Sequence, residues 1–150
     1  VREARSRLPV FSFVEDLAAG TGYWLAAQGE RVYANTPTAM VGGIGLFTGV
    51  YDRSGQFAKA GVKAVVIRAG EMKGAGFPGT EITEKQRAVW QGLVDQAQAE
   101  FNKAIKHRVD PRAVANGKLY TAGDAQRLRL IDGIKSFDDV LAELTAKITK

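Results

Sequence analysis

Short β-branched or aromatic runs alternate with helical patterns along the whole of this 150-residue chain, and that alternation is its strongest constraint. Residues 10–14 (Val-Phe-Ser-Phe-Val) read as a buried strand, 31–34 as a second and 118–120 as a short third. Residues 62–68 (Val-Lys-Ala-Val-Val-Ile-Arg) give the clearest strand signal of all. Helices are predicted from the turn around Gly20 and Gly22 to residue 27, over 56–60, over 83–107, over 122–129 and at the C-terminal end. The long one can begin with a capping box, Thr83 with Gln86, and its apolar face is Trp90, Leu93, Val94, Ala97, Phe101, Ala104 and Ile105 at 3–4 spacing. Phe137, Val140, Leu141, Leu144 and Ile148 stripe the last helix in the same way. Loops are expected at 35–38, 69–80 and 110–116, a loop and then a strand over 39–51, and an extended return over 130–134. Strands alternating with helices predict an α/β fold, and the length suits one domain over residues 1–150.

Composition removes several functions. Apolar residues make up 45% and charged residues 25%, which excludes a disordered or collagen-like chain. With no Cys and one His (His107), there is no disulfide framework, thiolate zinc site or histidine-rich metal site, and no metal or cofactor is expected. No apolar run approaches 18 residues, and residues 1–10 lack the apolar core of a signal peptide. Those ten residues read as the last turns of a helix entering a strand at Pro9. Together with the missing initiator Met, they suggest a fragment or processed piece of a larger protein. The compartment stays open between cytoplasmic and membrane-associated through a partner or missing segment. Lys and Arg exceed Asp and Glu by 21 − 16 = 5. The basic residues Lys103, Lys106, His107, Arg108 and Arg112 gather near one helix end, where cations are favoured anyway. No aromatic residues interleave with them, so they read as a solvated face and no nucleic acid is expected as a partner.

Three segments carry candidate chemistry. Ala18-Ala19-Gly20-Thr21-Gly22-Tyr23-Trp24 brings a tight turn to a helix N-terminus, where backbone N–H groups can face an anion or a nucleophile. The same spacing also serves close helix–strand packing, and it is not a dinucleotide fingerprint. Lys73 lies in the Gly-rich loop Gly70-Glu71-Met72-Lys73-Gly74; turned into a pocket it would serve as a general base, and left in solvent it is an ordinary loop lysine. Gly42-Gly43-Ile44-Gly45 either holds an extended peptide against exposed backbone or forms a flexible turn.

Taken in order, these segments resemble the S49 peptidases, the signal peptide peptidase A family, which have a ClpP/crotonase-like fold. The resemblance rests on Ala19-Gly20-Thr21-Gly22-Tyr23-Trp24, Val32-Tyr33-Ala34-Asn35-Thr36-Pro37, Val41-Gly42-Gly43-Ile44-Gly45-Leu46 and Gly70-Glu71-Met72-Lys73. It continues through Gly117-Lys118-Leu119-Tyr120-Thr121-Ala122-Gly123 and Leu130-Ile131-Asp132-Gly133. It implies a Ser–Lys dyad in which Lys73 holds the base position. The serine position is Gly20, and a second serine of the family pattern is Gly43. Thr21 sits one residue on, where a helix turns the side chain by about 100°; the resemblance gives it an oxyanion N–H or, alternatively, a substitute nucleophile. Gly22, Gly42, Gly43 and Ile44 are expected to bind substrate. The family domain has an earlier strand–helix portion that does not match within this chain.

The expected function is therefore a peptidase homologue impaired by the missing hydroxyl, with peptide or unfolded polypeptide as partner. A homo-oligomer, or a hetero-oligomer with a chain that completes the fold, is expected too. The alternative is an active peptidase that uses Thr21 or a partner's serine. A crotonase-type acyl-CoA enzyme fits the motifs less well.

Overall fold

A computed structural model describes residues 1–149 and divides them into two compact units, Val1–Leu46 with Gln98–Lys150, and Phe47–Ala97. The first unit holds two small sheets. Strands β1 (Phe11–Val14), β3 (Arg31–Ala34) and β6 (Gly133–Ile134) form a parallel sheet in the order β1-β3-β6, with Phe11 opposite Arg31 and Tyr33 opposite Gly133. In the other sheet β2 (Leu17–Ala19) runs parallel to β4 (Met40–Gly42), and β4 runs antiparallel to β5 (Leu119–Thr121). Helices α1 (Arg2–Arg5), α2 (Thr21–Ala26), α5 (Pro111–Val114), α6 (Ala122–Arg127) and α7 (Phe137–Ile148) complete this unit. The α/β class is as expected.

Its core is built around Tyr23, Val32, Val41, Ile44, Phe101, Ile105, Val114 and Leu130, all fully or almost fully buried. Trp24 of α2 stacks on Phe101 with ring centroids 5.0 Å apart. At α6 the chain stops with a two-bond helix end: Leu130 N–H donates to Ala125 O (2.8 Å) and Arg129 N–H to Gln126 O (3.0 Å). This end requires a left-handed residue, and Arg129 supplies it at φ 62°, the one non-glycine positive φ among the described residues. A side chain there costs about 1 kcal/mol relative to glycine.

The second unit contains α3 (Ser54–Lys59) and most of the long helix α4 (Glu84–Ile105), whose end returns to the first unit. The capping box forms as predicted: Thr83 Oγ accepts from Gln86 N–H and Gln86 Oε1 accepts from Thr83 N–H, both at 3.2 Å. Asp52 ties the start of this unit together, accepting from Ser54 N–H (2.9 Å) and from Ile82 N–H (2.9 Å).

Several expectations are corrected. Residues 62–68 form no strand: they belong to no helix or sheet, and Val65 and Ile67 are 72% and 97% exposed. β-Propensity without a neighbouring strand does not make a sheet. The strand expected late in 39–51 lies early instead, as β4, because residues 40–42 are the ones that find β2 and β5. Strand β2 falls where a turn was expected; its Leu-Ala-Ala sequence carries no strand signal and is held by pairing with β4. Within the expected loop at 110–116, Asp110 caps a short helix with Pro111 at its first position. Only Phe101, Ala104 and Ile105 of the predicted α4 stripe are buried, while Leu93 is exposed. Nor is Arg108 part of a solvated face: its side chain is only 9% exposed and pairs with Asp132. No helix among the described residues is long and apolar enough to cross a membrane.

Candidate active site

Gly20 stands at the apex of a strand–turn–helix corner. Strand β2 enters it, α2 leaves it, and Gly20 itself adopts φ 53°, ψ −119°. That region is strained for any residue with a Cβ and suits glycine. Two bonds fix the corner: Gly20 N–H donates to Gly42 O and Trp24 N–H donates to Gly20 O, both at 2.9 Å. A nucleophile carried on such a corner projects from the backbone with first-turn amides beside it. Gly20 itself carries no side chain at this corner.

The neighbouring turn explains two other glycines differently. A Cβ on Gly20 would meet nothing closer than Gly43 O at 3.8 Å, so the position has room. A Cβ on Gly42 would lie 2.7 Å from Lys118 O and 3.0 Å from the Tyr120 ring, a clash with backbone. Gly43 (φ 59°) is tight, with Gly20 N at 3.2 Å from its would-be Cβ. Its N–H donates to Lys118 O at 2.7 Å, which ties the turn to β5. Gly22 is exposed, with open space around it. Ile44 is fully buried, so its side chain serves the core, and its carbonyl accepts from Gly117 N–H at 2.9 Å.

Thr21, the first residue of α2, is exposed. Its side chain lines a shallow groove of about 500 Å³ with Val1, Glu3, Trp24, Leu25 and Gln28, whereas a Cβ on Gly20 would face the Gly43 carbonyl. Gly20, Thr21, Gly22, Gly42, Gly43 and Ile44 thus lie together in the first unit. Lys73 belongs to the second unit, exposed in a turn closed by Lys73 N–H donating to Gly70 O (3.1 Å). No cluster of His, Cys, Asp and Glu able to hold a metal ion occurs among the described residues.

The sequence reasoning missed an ion pair elsewhere in the first unit. Asp132 Oδ2 accepts from Val32 N–H and from Arg108 Nη1, each at 2.7 Å, and Oδ1 accepts from Arg31 Nη1 at 3.3 Å. Burial raises the Asp132 pKa, but the Val32 amide, Arg108 and Arg31 together outweigh it, and the carboxyl ends below its usual range. The signal was present in Leu130-Ile131-Asp132-Gly133: an acid between buried apolar residues and a glycine needs a cationic partner.

The corner, the glycine turn and the Asp132 segment follow one another in an α/β unit. The model of peptidase family S49 matches residues 2–149, and this chain belongs to that family. It is 28% identical over 149 residues to "Putative protease MJ0651" of Methanocaldococcus jannaschii, a match covering 96% of this chain and 48% of that protein. It is 29% identical over 142 residues to "Putative signal peptide peptidase SppA" of Enterococcus faecium, covering 91% and 41%. The chain therefore spans less than half the length of these relatives. A solved enoyl-CoA hydratase of Mycobacterium smegmatis superposes with a TM-score of 0.49 at 17% identity, over 98% of this chain and 42% of that one.

Proposed function

We propose that this chain is an S49 peptidase homologue of the signal peptide peptidase A type, with a ClpP/crotonase-like fold, that binds extended polypeptide and does not cleave it unaided. The observation that carries the reading is the corner at Gly20: a backbone shaped for a nucleophile, with room for a Cβ and no hydroxyl. Acyl transfer by a Ser–Lys pair starts when the lysine amine takes the proton of a hydroxyl, and the oxyanion then leans on backbone N–H groups. In this reading Lys73 keeps the base position and Thr21 offers its backbone N–H. Gly22, Gly42, Gly43 and the Ile44 backbone support the peptide. Removing a nucleophile costs several orders of magnitude in rate. The exposed apolar residues Phe47, Tyr51, Val65 and Ile67 favour assembly with further copies or with a second chain.

The test is restoration. Purified protein incubated with an unfolded polypeptide is expected to bind it without turnover. Gly20→Ser is expected to gain cleavage, and adding Lys73→Ala is expected to abolish that gain. Turnover by the unsubstituted protein that disappears in Lys73→Ala overturns the proposal. Labelling of Thr21 by a hydroxyl-directed inhibitor would then identify it as the nucleophile.

A further inference from the structure

At the end of α2 remote from Gly20, a cleft of about 510 Å³ is lined by Arg5, Glu30, His107, Arg108, Arg129 and Asp132, among others. Three of these six are arginines and one is a histidine, drawn from α1, the segment after α4 and the end of α6. The two acids are already engaged. Glu30 pairs with Lys147, and Asp132 with Arg108, Arg31 and the Val32 amide. Arg5 donates to Gln28 O at 2.9 Å and has no carboxylate partner among the described residues; Arg129 is in the same position and makes no side-chain hydrogen bond there.

Two observations set this cleft apart from an ordinary basic surface. Arg108, nine-tenths buried at the cleft wall, spends its Nη atoms on Asp132 and the Gly29 and Glu30 carbonyls, and its Nε–H is buried with no acceptor. Arg129 holds a left-handed conformation at a helix end where glycine would be relaxed, and it lines this cleft with no side-chain partner among the described residues. His107 Nε2 is 3.0 Å from Ala27 O and so donates to it, which leaves Nδ1 for another group.

We propose that this cleft binds the phosphate group of a small phosphorylated molecule between Arg5 and Arg129, with His107 at its edge. Two guanidiniums with no carboxylate partner among the described residues match a dianion that offers three acceptor oxygens, and arginine forks recognise such oxygens in pairs. The cleft also has room for a body that carries the group. The site is independent of the chemistry at Gly20.

Inorganic pyrophosphate is the probe, titrated into purified protein by calorimetry and in thermal melts, against sodium chloride at matched ionic strength. The unsubstituted protein is expected to bind saturably and to melt at a higher temperature with pyrophosphate than with chloride. Arg129→Gly is expected to melt higher than the parent without ligand, because glycine relaxes the helix end, yet to bind pyrophosphate roughly tenfold more weakly. Arg5→Gln, which keeps the side-chain bulk, is expected to lose affinity to a similar degree. No pyrophosphate effect beyond that of chloride overturns the proposal. So does a pyrophosphate response that Arg129→Gly and Arg5→Gln leave intact.

Discussion

Tyr23 joins two parts of the first unit that are 107 positions apart, because its fully buried hydroxyl donates to Leu130 O at 3.0 Å. Burial pushes the phenol well above its usual range, Arg108 opposes this and Asp132 adds to it, so the group stays a neutral donor. Tyr23→Phe removes only the oxygen and strands the Leu130 carbonyl. A loss of about 1 kcal/mol, read from urea unfolding, is expected; an unchanged midpoint would mean that the carbonyl finds another donor. At Gly20 the backbone conformation, rather than a contact, decides what the residue can be. The sequence has glycine where the resemblance expects a serine, and only the structure shows that the corner takes φ 53°. Arg108 is the opposite case. In a basic run it looks like every other surface cation, since nothing local reveals that Asp132, 24 positions on, comes within 2.7 Å.

At the scale of elements, Asp132 locks the entry to β6 against the first residues of β3 and the chain leaving α4. Its folded pKa lies below the usual value of 3.8, so the unfolded chain binds the proton more readily. The stability this carboxylate supplies is therefore complete above the usual value and disappears as pH falls through the lower folded value. In urea unfolding, midpoints are expected to stay level from about pH 5 upward on this account, then decline under acid. Asp132→Asn is expected to lower the midpoint at neutral pH and to make the acid decline shallower, because it leaves Arg108 buried without its counter-charge. Equal acid slopes for both proteins would assign the decline to other groups. Elements with local signals were legible in the sequence: the α4 capping box, the α7 helix and β3 all lie close to where the residue pattern puts them, although Val140 alone of the α7 stripe is buried. Strand β2 was not, because pairing with β4 rather than propensity creates it.

Across the whole molecule the two units differ in what holds them. Every fully buried large apolar side chain belongs to the first unit, and among the described residues no apolar side chain of the second is buried. Residues 62–68 carry strand chemistry without a strand partner, which is why the sequence reading and the structure part company there. Apart from Val62, whose N–H donates to Phe57 O at 2.9 Å, their amide hydrogens are expected to exchange within seconds to minutes in dilute protein, as for solvated backbone. Exchange there is expected to slow as protein concentration rises, while the Val32 and Val41 amides of the core stay protected throughout. Equally fast exchange at every concentration would show that no second copy covers this run. The consequence reaches beyond this segment. Where a stretch of chain draws its order from molecules around it, dilution acts as a mild denaturant, and how firmly the second unit is folded becomes a property of the solution as well as of the polypeptide.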